Sequence, residues 1–223
     1  MLDDDIQFIS SGGGAVSTGF FQNVGQTRRQ GIELGITTSL DRLTLSSHYS
    51  LIDATYQSSL ILNSASNSTA APISCPTCTD IRVTPGDRIP GIPRHQFNLR
   101  AEYAFTEKLS AAGTLIAASD QFARGDENNR DVHGSVPGNA IVKLDARYQA
   151  DRHWQVFGRI DKLFDKRYQT FGVLGQNAFL GPNNTFATGA SVAEQFRSPG
   201  APLGVWVGVK YAFDVPKNAK SSQ

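Results

Sequence analysis

Three features of the sequence could carry chemistry. Cys75-Pro76-Thr77-Cys78 is its only cysteine pair, and a C-x-x-C can be redox-active, half of a zinc site, or a small disulfide. Zinc needs two further ligands at partner spacing, and neither a second pair nor an H-x-x-x-H is present. A redox motif belongs at a helix start in a βαβ setting, which the pattern lacks. A structural disulfide in an exposed loop is the expectation. Arg124-Gly125-Asp126 is an adhesion-type tripeptide, but three residues match easily by chance. His48, His95, His133 and His153 are scattered, and no Ser-His-Asp spacing, phosphate loop or H-E-x-x-H accompanies them. Asp161 and Asp165 read as polar strand-end residues, not as an acid/base couple. No enzyme, cofactor or metal site is expected.

The elements behind these residues follow from composition and period. Lys+Arg (21) nearly cancels Asp+Glu (20) over 223 residues, which excludes a nucleic-acid binder working by bulk charge. No stretch nears the roughly 18 apolar residues of a spanning helix. That says nothing against a β-barrel, whose strands alternate. Twenty-one glycines, 13 phenylalanines and one methionine favour strands over helices. The acidic start, Met1 to Asp5, is unlike an export signal, so the chain is expected to be cytoplasmic or a piece of a longer precursor.

Period-two alternation predicts about eight strands. One lies near residues 2–10 and another over 109–122. The others carry the apolar sets Ile32, Leu34, Ile36, Leu40; Leu43, Leu45, Tyr49, Leu51; Phe97, Leu99, Ala101, Tyr103, Phe105; Val142, Leu144, Ala146, Tyr148; Trp154, Val156, Ile160; and Val205, Val207, Val209, Tyr211, Phe213. Tight polar turns at 41–42, 106–108 and 150–152 alternate with long Gly-, Asn-, Ser- and Pro-rich connections at 11–28, 57–93, 123–138 and 171–201. These are expected to be irregular loops. With eight strands, both ends of the barrel fall on the short-turn side.

Strands of about 9 to 14 residues exceed the globular mode of about 5 to 6 and suit a tilted crossing of a bilayer. Aromatics beside the short turns read as an interfacial girdle. The opposite face carries Glu33, His48, Arg100, Glu102, Lys143, Asp145, Arg147, Arg159, Asp161 and Lys210, charges that are inexpensive only toward a wet lumen. Small residues, Gly31, Gly35, Thr37, Ser39, Thr44, Ser46 and Ser50, line the same face, and Gly208→Ser there is expected to be mild.

Thr27-Arg28-Arg29-Gln30-Gly31-Ile32-Glu33-Leu34, with Ser47-His48-Tyr49-Ser50-Leu51-Ile52-Asp53-Ala54 after a turn, resembles the late barrel strands of TonB-dependent outer-membrane receptors. Asp87-Arg88-Ile89-Pro90-Gly91-Ile92-Pro93-Arg94-His95, Leu163-Phe164-Asp165-Lys166-Arg167-Tyr168 and Ala201-Pro202 before a strand ending at Phe213 are similar to later family segments. Lys162 stands where the family usually has Asn, and Asn139 where an aromatic is common.

The resemblance implies an all-β, antiparallel, up-and-down transmembrane barrel, residues 1–213 being the C-terminal part of a closed barrel of about 22 strands. Residues 214–223 would be a polar tail, with the plug domain absent. It further implies an outer-membrane location and uptake of a ferric siderophore or similar scarce nutrient, captured by the external loops. The implied partners are outer-membrane lipid, a TonB complex acting through the missing plug, and the barrel-assembly machinery reading Tyr211 and Phe213. Nucleic acid is not among them. The alternative from another class is a self-contained eight-stranded barrel with a structural or adhesive role.

Bonding Cys75 to Cys78 closes a very small loop and removes little chain entropy. Cys→Ser at both is expected to leave folding nearly unchanged, and mass spectrometry finding free thiols in outer-membrane protein would contradict the bond.

Overall fold

The computed structural model describes residues 1–11 and 18–213, and in them the chain is all-β. Its main body is a seven-stranded antiparallel meander: β3 (Thr27–Leu40), β4 (Leu43–Tyr56), β7 (His95–Ala104), β8 (Leu109–Ala118), β9 (Asn139–Gln149), β10 (Trp154–Asp161) and β13 (Gly204–Tyr211), adjacent in that order. Three further hairpins pair β1 (Ile6–Ser11) with β2 (Thr18–Asn23), β5 (Leu60–Asn63) with β6 (Asp80–Val83), and β11 (Gln169–Asn177) with β12 (Val192–Pro199).

The first expected strand is therefore corrected. It does not join the main sheet; it folds back on β2, and Leu2 exchanges backbone hydrogen bonds with Thr27 at the start of β3 (2.8 and 3.0 Å). Residues near Leu2 thus lie at the long-connection end, while β13 finishes at the short-turn end. The connections at 57–93 and 171–201 are not plain irregular loops either, whereas 123–138 is irregular as expected. Short runs, Leu60-Ile61-Leu62 and Phe171 to Leu174 among them, form hairpins inside Gly- and Asn-rich surroundings.

The tight turns close through side chains that mimic backbone. Asp41 takes φ +51°, a conformation Asp tolerates. Thr106 Oγ1 accepts from the amides of Lys108 and Leu109, and Asp151 Oδ1 from those of His153 and Trp154. Those two amides hold the Asp151 carboxyl below the usual range.

The sheet itself has almost no core. Its apolar face is bare: Ile32, Leu34 and Ile36 are 58, 61 and 65% exposed, and Val207 is 78% exposed. Monomers in water rarely leave a continuous apolar face of this kind uncovered. Its lower rim is aromatic: Tyr103 meets Phe105 at 5.0 Å, Trp154 meets Tyr211 at 4.7 Å, and Tyr211 meets Phe213 at 4.8 Å. From His95 to Phe105 the chain advances about 34 Å; at a tilt near 40° this is about 26 Å of height, close to the apolar band of an outer-membrane barrel. The true core sits above the sheet, where Val24, Tyr56, Leu62, Ile81 and Val83 are at most 1% exposed.

Val207→Arg puts a charge on the bare apolar face, and in a bilayer it is expected to cost about 2 to 4 kcal/mol. Gly208→Ser is not the bland control it looked in the sequence. The Phe157 ring covers Gly208, and an added Cβ would sit 2.3 Å from its Cζ, so that ring must swing aside. Refolding in detergent should rank Val207→Arg well below wild type. A monodisperse β-rich monomer without detergent would end the membrane reading of this face.

Candidate functional site

Strand register places all ten charged or titratable wall residues on the face opposite the bare apolar one. Glu33 faces Ser50, and His48 lies between Gly35 and Asn98. Arg100 lies between Ser46 and Thr114, with Glu102 two residues on. Lys143, Asp145 and Arg147 follow on β9, Arg159 and Asp161 on β10, and Lys210 opposite Gln155 on β13.

The structure draws seven of them into two adjacent ion-pair groups that step across the wall as a ladder, four around Arg100 and three around Asp161. The Arg100 guanidinium donates to both oxygens of Asp145 (2.6 and 2.9 Å), to Glu102 Oε2 (3.1 Å) and to Thr114 Oγ1 (3.2 Å). A bidentate fork of this kind fixes direction as well as charge. Arg147 reaches the other oxygen of Glu102 and donates from Nε to Ser110 Oγ at 2.8 Å. Asp161 gathers Arg159 (2.8 Å) and Lys143 (3.5 Å). Glu33, His48 and Lys210 are not brought into it. Glu33 and His48 instead border a hollow of about 400 Å³, with Gly35, Ser50, Gln96 and Asn98.

At the long-connection end the remaining candidates separate. Cys75 and Cys78 are disulfide-bonded in the turn between β5 and β6. Tyr211 and Phe213 lie at the opposite, aromatic rim. Residues 214–223 lie outside the described residues. The Arg124-Gly125-Asp126 tripeptide is no adhesive tip, because Asp126 is fully buried. Its Oδ1 accepts the amides of Arg130 (2.8 Å) and Asp131 (2.9 Å).

Around Asp126, two long connections are sewn together by a set of bonds that the sequence did not suggest. Ser64 Oγ and Asn67 Nδ2 donate to the Gly125 carbonyl (2.8 and 2.9 Å), Asn128 Nδ2 to Thr69 Oγ1 (2.8 Å), and the Ser68 amide to Asp131 Oδ2 (2.8 Å). Asn129 exchanges two bonds with the Arg88 backbone. By composition alone, Asp126-Glu127-Asn128-Asn129 is generic acidic loop chemistry. Its signal was the Asx spacing, which favours side-chain-to-backbone turns. β11 joins the same layer through Leu174, whose amide donates to the Arg124 carbonyl at 2.7 Å. The arrangement is a rigid polar platform above a charged wall. Among the described residues no cluster of His, Cys, Asp and Glu could hold a metal ion.

Comparison with known proteins agrees with this geometry. The probable TonB-dependent siderophore receptor PiuA of Acinetobacter baumannii is 27% identical over 151 residues, which are 67% of this chain and 18% of that protein. Among solved structures, the siderophore receptor PiuA from Acinetobacter baumannii superposes with a TM-score of 0.60 at 18% identity, covering 92% of this chain and 24% of that one. The copper transporter OprC does so with a TM-score of 0.62 at 17% identity, covering 95% and 27%. The ferric-catecholate import receptor Fiu from K12 E. coli gives 0.57 at 14% identity, covering 95% and 24%. The chain thus spans under a third of the length of each, and at these identities the structures speak to fold alone. The family model "TonB dependent receptor-like, beta-barrel" matches residues 2–163, most of the chain, and the chain belongs to that family.

Proposed function

We propose that the chain is the C-terminal barrel portion, residues 1–213, of an outer-membrane uptake receptor whose cargo is a ferric siderophore or a similarly large, scarce nutrient. The observation that carries this reading is the two-faced sheet: a bare apolar side rimmed by aromatics, and a charged side whose ladder would line a wet lumen. The platform of joined connections would sit outside the cell and meet the ligand. Energy would come from a TonB complex acting through a plug region. The aromatic end at Tyr211 and Phe213 would be read by the barrel-assembly machinery.

Strand parity supports the larger barrel over a self-contained one. Among the described residues β3 pairs only with β4, and β13 only with β10. Both run from the long-connection end to the short-turn end, so joining them directly would make a parallel pair. Antiparallel closure needs an odd number of additional strands, the first and last running the other way. A barrel of about 22 strands supplies about 15 beyond the seven here.

Two experiments test this. In cells making the full-length receptor, a cysteine at Asn183, beyond β11, should react with an impermeant thiol reagent, and one at Asp151 should not. The reverse pattern would overturn the orientation. Deleting the receptor gene should abolish TonB-dependent uptake of radiolabelled iron presented as one siderophore of a panel, and the full-length gene should restore it. Unchanged uptake across a broad panel would remove the siderophore assignment.

A further inference from the structure

Asp126 is fully buried, yet only one of its two carboxylate oxygens has partners. Oδ1 takes the amides of Arg130 and Asp131, with Asn67 Nδ2 farther off at 3.4 Å. Oδ2 is enclosed without a hydrogen-bond partner. A buried ionised oxygen with no partner is expensive, whereas a protonated carboxyl is far less so. This residue sits at the seam between two connections, residues 57–94 and 119–138, and the bonds from Ser64, Asn67, Ser68 and Asn128 all cross within a few residues of it.

We propose that Asp126 is a proton-dependent latch for the outer platform: the two connections are fastened when its carboxyl is protonated and loosen when it ionises. The groups facing it agree. On its own connection lie the carboxyls of Glu127 and Asp131, both of which disfavour a second negative charge beside them. Arg130 is turned away toward Asp87 (3.6 Å) and Thr84, Arg124 lies over the Phe171 ring, and His133 is held by Asp131. Arg88 approaches through its backbone and pairs its side chain with Asp120. The connection opposite presents neutral groups, Ser64, Asn67 and Thr69, and β11 presents the Leu174 side chain at Gly125. Among the described residues no cation is placed to neutralise Asp126.

Burial, opposed by the amides of Asp131 and Arg130 and aided by the Asp131 charge, pushes the Asp126 carboxyl up to about 6 from 3.8. Because the folded value is raised, the latch is strongest below the unfolded value of 3.8 and weakens as pH climbs toward about 6. Over that window the opening equilibrium should rise by about a hundredfold, then level off.

Hydrogen exchange of the full-length receptor in detergent reads this directly. After correction for intrinsic rates, peptides covering 64–70 and 124–134 should be better protected at pH 4.5 than at pH 7.5, by tens of fold, while the β7–β8 hairpin stays unchanged. Asp126→Asn keeps the Oδ1-type acceptor and removes the Asp126 titration, so the pH dependence of its protection should shrink to what Glu127, itself raised by burial, contributes. Protection in wild type that ignores pH, or an Asp126→Asn variant that keeps the wild-type profile, would overturn the latch. Should the variant misfold, the wild-type infrared spectrum decides. A buried carboxylic-acid carbonyl band that titrates near pH 6 supports the latch, and its absence at pH 4.5 refutes it.

Discussion

In hydrocarbon a backbone amide without a partner costs several kcal/mol, so strands can cross only as members of a sheet whose neighbours satisfy them on both sides. Among the described residues this chain meets that condition through the interior of its meander and leaves it unmet along the outer edges of β3, below the Leu2–Thr27 bridge, and of β13. Everything else about the sheet follows from the crossing. Period-two alternation sorts the side chains into Ile32, Leu34, Val205 and Val207 on one side and Arg100, Asp145 and Arg159 on the other. A one-residue slip in register would exchange the two sets and put the entire ladder in lipid. The ladder and the apolar face therefore specify the same register, once from each side. An exposed 14-residue edge such as β3 would otherwise be an aggregation hazard.

The sheet was legible in the sequence because its signal is repeated. Alternation recurs over every long strand, and turns such as Asp41-Arg42 and Ala150-Asp151-Arg152 punctuate it locally. The face of each charged residue followed from parity along its own strand. Which of them touch did not: the fork between Arg100 and Asp145 joins positions 45 residues apart and depends on β8 placing only Ala112 and Thr114 between them. Short side chains there let the long ones meet across an intervening strand.

The first strand failed for a related reason. Residues 2–10 alternate well enough to be a strand, and they contain one, but alternation does not say which neighbour a strand takes. That choice was made by Thr27 and Gln26, whose side chains and backbone bind Leu2, Asp3 and Asp5 at the top of β3. Contacts of this kind carry no periodic trace. The same holds for the hairpins in the long connections, where runs of four residues, apolar in β5 and alternating in β6, are too short to stand out.

What stabilises these connections differs in kind from what stabilises the sheet. The sheet has water or lipid on its faces and owes its order to backbone pairing and the bilayer. The layer above it has a core of its own, where Tyr56, Leu62, Ile81 and Val83 are buried under a seam of buried Asn, Ser and Asp side chains. An apolar core alone fixes few orientations, whereas a hydrogen-bonded seam accepts one geometry and penalises the rest. Such a layer can hold a defined outer surface while drawing from the sheet beneath it only the upper end of β4, Ile52, Ala54 and Tyr56. It can also be altered locally, because removing or charging a single member of the seam leaves its neighbours with unmet hydrogen bonds, and the strands below do not share them.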